Sequence, residues 1–310
     1  MARYEENLDP ELEAGLEQFV ELGFTTRRFE GDGIPAFRRA LHDRLLELQS
    51  DVPANDRIAR VEQVVMGPGA EIPVRVYRPR DVEGQLPCLL WIHGGGMIAG
   101  GLDMDDPLCD RFADEAECLV VSVDYRLAPE HPHPAPVEDC FAALQWIGES
   151  AAELGVDPGR IAVGGSSAGG GLAAGTALLA RDRGGPALCF QLLIYPMLDD
   201  RNTTPSALEF DDVLSWSRQH NISGWAALLG DAAGAENVSE YAAPARASDL
   251  SRLPPAIIQV GELDVFRDED ISYASGLLGA GVATELHVYP GAYHGFNLHV
   301  PEARVSRRMN

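Results

Sequence analysis

Lysine is absent from the chain: all 24 basic residues are arginine, set against 48 Asp and Glu, for a net charge of −24 over 310 residues. That absence removes every scheme needing a lysine nucleophile, a Schiff base or a P-loop lysine. The shortage of positive charge argues against a nucleic-acid or anionic-membrane partner, because an acidic surface repels phosphate instead of releasing counterions from it. Cysteine is also scarce. Cys88, Cys109, Cys118, Cys140 and Cys189 are odd in number, lack CxxC spacing and mostly sit in apolar runs such as PCLLWI, so they read as buried reduced thiols. No apolar run approaches the roughly 18 residues that span a bilayer. The opening MARYEENLDPELEAG has no signal-like apolar stretch, and a cytoplasmic location is expected.

What is present is a chain of two textures. Over residues 1–52, Asp9-Pro10 forms an N-cap and N1 pair, and Leu12, Leu16, Phe19 and Val20 follow at helical spacing. A second helix carries Phe37, Leu41, Leu45 and Leu48 on one face. These amphipathic helices are expected to form a docked appendage, and their pattern fits a cap over a cleft as well as packing on a sheet's flank. From Val61 the pattern becomes strands: VEQVVM and PVRVY around a Gly-containing turn predict an antiparallel hairpin. The runs CLLWIH, LVVSVDY, IAVGG, CFQLLIY, AIIQVGE and ELHVYP then alternate with helical segments. Unbroken β-rich runs suit strands covered on both faces. The expected fold is α/β, with a mostly parallel sheet of about eight strands flanked by helices, in a domain over 53–310. Between Tyr195 and Pro255 the interval is too long for one βα unit, and a helical insertion at about 200–240, with Trp216 and Trp225, is expected.

The chemistry-bearing signal is Gly165-Ser166-Ser167-Ala168-Gly169, placed after a strand and before a helix. In that context GxSxG is a nucleophile elbow that lifts the Ser167 hydroxyl over the sheet. His93-Gly94-Gly95-Gly96 ends another strand, and bare glycine amides there suit an oxyanion hole formed by Gly95, Gly96 and the amide of Ala168. No Lys follows for a P-loop, and the dinucleotide GxGxxG spacing is missing after the first parallel strand. His294 in GAYHGF and Asp264 in GELDVFRDED both fall at the carboxyl ends of strands, where an open α/β sheet builds its site. His299 is the weaker competitor. His93 reads as a structural residue, and Asp268 and Asp270 belong on the helix after Asp264. The order Ser167, Asp264, His294 is that of an α/β-hydrolase triad.

Together HGGG, DYRLAPE at Asp124 to Glu130, GSSAGG, DVFRDE and HGF resemble the hormone-sensitive-lipase-like group of α/β-hydrolases, the bacterial carboxylesterases especially, from Val61 to Asn297. The resemblance implies a helical cap, an ester hydrolase without cofactor or metal, and Ser167, Asp264 and His294 as triad. Three positions differ from the usual pattern: Ser166 where Asp is commoner, Met97 where an aromatic is commoner, and His133 where Phe is usual. Ser166 and Met97 are therefore expected to shape the substrate pocket. Short to medium acyl esters are the expected substrates. An acyltransferase, lactonase or amidase could use the same triad, and a small-molecule receptor could keep the fold without the chemistry. The last strand, ELHVYP, is a candidate edge for a homodimer.

Overall fold

The computed structural model describes residues 2–21, 28–29, 33–50, 55–213 and 215–310. An eight-stranded sheet runs in the order β1-β2-β4-β3-β5-β6-β7-β8. β1 (Ile58–Gly67) and β2 (Ala70–Pro79) are antiparallel, with Gly67 opposite Ala70. Their two-residue turn has Pro68 followed by Gly69 at φ 85°, the arrangement of a type II turn. β2 also runs antiparallel to β4 (Leu119–Val123). The remaining neighbours, β3 (Leu86–Ile92), β5 (Val156–Ser166), β6 (Leu188–Ile194), β7 (Ala256–Leu263) and β8 (Thr284–Tyr293), pair in parallel. All of β4 and nearly all of β3 are buried, as strands covered on both faces require. β8 lies at the sheet's edge and alternates between half-buried and exposed along its first half.

The N-terminal helices α1 (Glu13–Glu21) and α2 (Gly33–Ser50) do not lie along the sheet's flank alone. Asp9 caps the short turn Pro10–Leu12 before α1, its carboxylate accepting from Glu11 N–H at 2.9 Å. Tyr293, the last residue of β8, donates its hydroxyl to Leu12 O at 3.2 Å, and Gln18 donates to His299 O at 3.2 Å. Phe29 stacks on Phe37 with centroids 5.0 Å apart, and both rings approach Trp216. Apolar stripes that would have no partner alone thus close over the carboxyl end of the sheet. The side chains of Val20, Leu45 and Leu48 fall outside the described set.

Five longer helices follow: α3 (Asp106–Glu115), α4 (Ala135–Glu149), α5 (Ala168–Arg183), α6 (Arg218–Leu229) and α7 (Arg267–Gly279). The long interval after Tyr195 contains α6 and the short helix Pro205–Glu209, so the expected insertion is helical. Ser217 opens α6 with a capping box in which His220 takes the reciprocal role. One cysteine departs from expectation. Cys189, near the start of β6, is exposed, while the other four are buried, and all five are free thiols.

Candidate active site

Ser167 stands between β5 and α5 at φ 57°, ψ −121°. A non-glycine residue there is strained by about 1 to 3 kcal/mol and persists only where the surroundings hold it. Here they do: Ser167 N–H donates to Ile194 O at 2.8 Å, and its carbonyl accepts from Met197 N–H at 2.9 Å and Gly171 N–H at 3.1 Å. The flanking glycines are required by packing, not by a left-handed backbone. Neither Gly165 nor Gly169 has a positive φ, but a Cβ on either would overlap the carbonyl of Ile92 or its neighbours. They let the turn pack against the end of β3, while the strain itself sits on Ser167.

His294 follows β8 directly. Its Nε2 lies 2.9 Å from Ser167 Oγ and its Nδ1 2.8 Å from Asp264 Oδ2. Asp264, at the end of β7, is wholly buried, and its other oxygen accepts from Phe266 N–H at 2.9 Å. With the carboxylate accepting at Nδ1, the ring carries its proton there and leaves Nε2 free to accept from the serine hydroxyl. Tyr195 and Phe266 meet the His294 ring edge-on at 4.7 and 5.1 Å and fix its plane. Neither was singled out from the sequence, although each closes a strand or motif already recognised there.

The HGGG loop folds back on itself, Ile98 and Ala99 N–H both donating to Gly95 O at 3.1 and 3.0 Å. Gly95 and Gly96 have φ 106° and 64°. Among the described residues, the amides of Gly95, Gly96 and Ala168 donate to no loop or turn carbonyl. His93 holds this loop from beneath: its Nδ1 donates to Gly94 O at 2.8 Å and its ring stacks on Tyr125 at 4.3 Å. Tyr125 in turn donates its hydroxyl to His93 O at 3.0 Å. Burial pushes His93 down to about 4, so the ring stays neutral in its structural role.

A cavity of about 100 Å³ opens beside Ser167. Gly94, Gly95, Gly96, Ser166, Ser167 and His294 form its polar floor. Its apolar walls include Phe19, Phe37 and Leu41 from the N-terminal helices, Trp216 from the insertion, and Met104 and Leu298. Ser166 borders this cavity. Met97 does not border this cavity: it is fully buried at φ 63°, and its carbonyl accepts from Ala128 N–H at 2.9 Å. His299 borders the cavity without reaching Ser167, packing its ring on Phe19 at 4.2 Å. Desolvation, with His294 nearby, pushes His299 down to about 4. Asp268 and Asp270 lie on α7 as expected, and His133, whose N–H donates to Leu228 O at 3.0 Å, does not border the cavity beside Ser167.

A family model described as alpha/beta hydrolase fold matches residues 89–298. The chain belongs to the α/β-hydrolase fold family. This α/β-hydrolase is 43% identical over 303 residues to carboxylesterase NlhH of Mycobacterium tuberculosis, covering 96% of this chain and 92% of that protein. It is 32% identical over 310 residues to an arylesterase of Saccharolobus solfataricus, covering 97% and 95%. Among solved structures it is similar to a bacterial heroin esterase, with TM-score 0.91, 44% identity and coverage of 98% and 95%. The hormone-sensitive-lipase-like resemblance read from five motifs is therefore borne out across nearly the whole chain.

Proposed function

We propose that this α/β-hydrolase is a serine carboxylesterase acting on short to medium acyl esters through an acyl-enzyme on Ser167. The observation that carries the reading is the unbroken relay Ser167 Oγ, His294 Nε2, His294 Nδ1, Asp264 Oδ2, with both links under 3 Å. His294 takes the hydroxyl proton as Oγ attacks the ester carbonyl, and Asp264 holds the tautomer and stabilises the imidazolium. The oxyanion meets the amides of Gly95, Gly96 and Ala168. The alcohol then leaves with the proton from His294, and a water deprotonated at the same nitrogen hydrolyses the acyl-enzyme.

Several features support the rest of the reading. Residues 1–52 and the insertion at about 200–240 act as a cap, supported by Phe19, Phe37 and Trp216 in the cavity wall. The cavity favours the short end of the acyl range, since about 150 Å³ accommodates benzene. No helix among the described residues is long and apolar enough to cross a membrane. A reducing, cytoplasmic setting is supported by the five free thiols. The edge position of β8 supports a homodimer through that strand, for which light scattering at micromolar protein is the test. A complete relay weighs against a receptor that has lost its chemistry, and nothing in the site favours an alcohol or amine acceptor over water.

The acyl-enzyme is tested by rapid mixing with p-nitrophenyl butyrate and mass analysis of the quenched protein. A burst of p-nitrophenol with butyryl mass on the Ser167 peptide is expected. Turnover with mass on another residue, or on none under saturating burst conditions, contradicts the assignment.

A further inference from the structure

A second cavity, of about 130 Å³, lies next to the first. Arg38, His42, Gly100, Gly101, Asp103 and Leu127 border it, and it shares Leu41 and Met104 with the cavity beside Ser167. These two side chains stand between the two spaces. Resting on the esterase reading, we propose that Met104, with Leu41 opposite, is the septum that ends the acyl pocket and sets the longest acyl chain accepted.

The placement follows from the chemistry of the tetrahedral intermediate. Its oxyanion faces Gly95, Gly96 and Ala168, and its leaving oxygen must reach His294 Nε2. The acyl chain must leave the carbonyl in a third direction, along the apolar wall of this cavity, and Met104 and Leu41 are the part of that wall that also borders the second space.

Both halves of the septum are anchored, as a selectivity element has to be. Met104 sits in the short helical turn Leu102–Asp105, its amide donating to Gly101 O at 3.1 Å. On one side of it Asp105 is buried and accepts from Trp91 Nε1 at 2.7 Å; on the other Asp103 accepts from Arg75 at 2.8 Å. Leu41 is one turn along α2 from Arg38, which donates to both Glu130 carboxylate oxygens and to Ala128 O at 2.7 Å each. Met104 itself is an unbranched side chain that substitution shortens without removing any hydrogen bond. Removing it would join two spaces of about 100 and 130 Å³.

The test is kcat/KM of the full chain for p-nitrophenyl acetate, butyrate, hexanoate and octanoate, in wild type, Met104→Ala, Met104→Leu and Leu41→Ala. Ethyl and hexyl acetate are run beside them by pH-stat. The octanoate to butyrate ratio should rise about tenfold or more in Met104→Ala and Leu41→Ala, since one methylene in an apolar pocket is worth about that much. Met104→Leu should return it toward wild type, and the hexyl to ethyl acetate ratio should stay level. An acyl ratio unmoved in both alanine variants, or an alcohol ratio that moves in its place, overturns the septum. Absence of Ser167-dependent hydrolysis in wild type overturns the esterase reading itself and is distinguishable at once. Two independent alanine variants keep the test decisive should one fail to fold.

Discussion

A Cβ placed on Gly96 would overlap the indole ring of Trp216, so the glycine loop beside Ser167 and the helical insertion are fitted to each other at a single atom's width. The HGGG loop is thereby packed against a residue of the helical insertion.

Gly96→Ala keeps the backbone N–H but should push it out of place through the clash with Trp216 and the positive φ, lowering kcat by up to about 10² to 10³, the scale of one lost oxyanion donor, with the fold retained. Adding Trp216→Ala should recover only part of this, because φ 64° disfavours any side chain at that position even when space is made. Steady-state kinetics with circular dichroism of both variants checks this. Full recovery in the double variant would mean that the ring clash alone was responsible.

Asp264→Asn should preserve the fold and lower kcat by about 10⁴, as the amide no longer holds the proton on Nδ1 of His294. A drop of less than tenfold would remove Asp264 from the relay.

Asp270 is wholly buried on α7 with neither carboxyl oxygen partnered among the described residues, and burial raises it well above the usual carboxylate range. The next residue back, Glu269, is raised for the same reason, while accepting from Leu198 and Asp199 N–H at 2.8 and 3.1 Å. An acid raised in the folded state keeps its proton after the unfolded chain has lost it. Its contribution is therefore full below the unfolded value, 3.8 for Asp270, and declines as pH rises toward the folded value. Asp270→Asn should match wild type in denaturant midpoint near pH 4 and exceed it at pH 8. Its stability should fall less steeply with pH by up to about 1.4 kcal/mol per unit. Parallel stability curves for the two proteins would contradict the assignment.

Arg38 ties α2 to Glu130, Ala128 O and Ile98 O, and holds Glu130 down to about 2. Arg38→Met should loosen the N-terminal helices over the cavity. The expected signs are faster proteolysis within the first fifty residues and a KM for p-nitrophenyl butyrate raised about three- to tenfold, one to several lost contacts in a partly exposed site. Proteolysis and KM at wild-type levels would show that the helices are held otherwise.

The net charge of −24 should disfavour anionic esters. Hemisuccinate esters should turn over more slowly than neutral esters of equal length, with a deficit that shrinks as salt rises past about 0.1 M.

Much of this was legible in the sequence because it depends on local patterns. Short apolar runs mark strands covered on both faces, and the punctuation of His93 to Gly96, Gly165 to Gly169 and His294 to Phe296 marks where those strands end. The destination of an amphipathic stripe is not local. Phe19 and Phe37 had to be buried against something, and only the assembled fold places them over Ser167 beside Trp216. Direction within a loop is likewise hidden: Met97 lies one residue from Gly96 yet turns into the core, while Met104, seven residues further on, reaches the cavity. The reason for the motif's glycines was also out of reach, since the approach of Ile92 on β3 to Gly165 on β5 and Gly169 on α5 is a contact between elements distant in sequence.

The most direct test is hydrolysis of p-nitrophenyl butyrate by the purified protein beside Ser167→Ala, with matching circular dichroism for the two. Turnover by the wild type is expected, with a loss of about 10⁴ to 10⁶ in kcat for the variant. Equal hydrolysis by both folded proteins, or none by either, would contradict it.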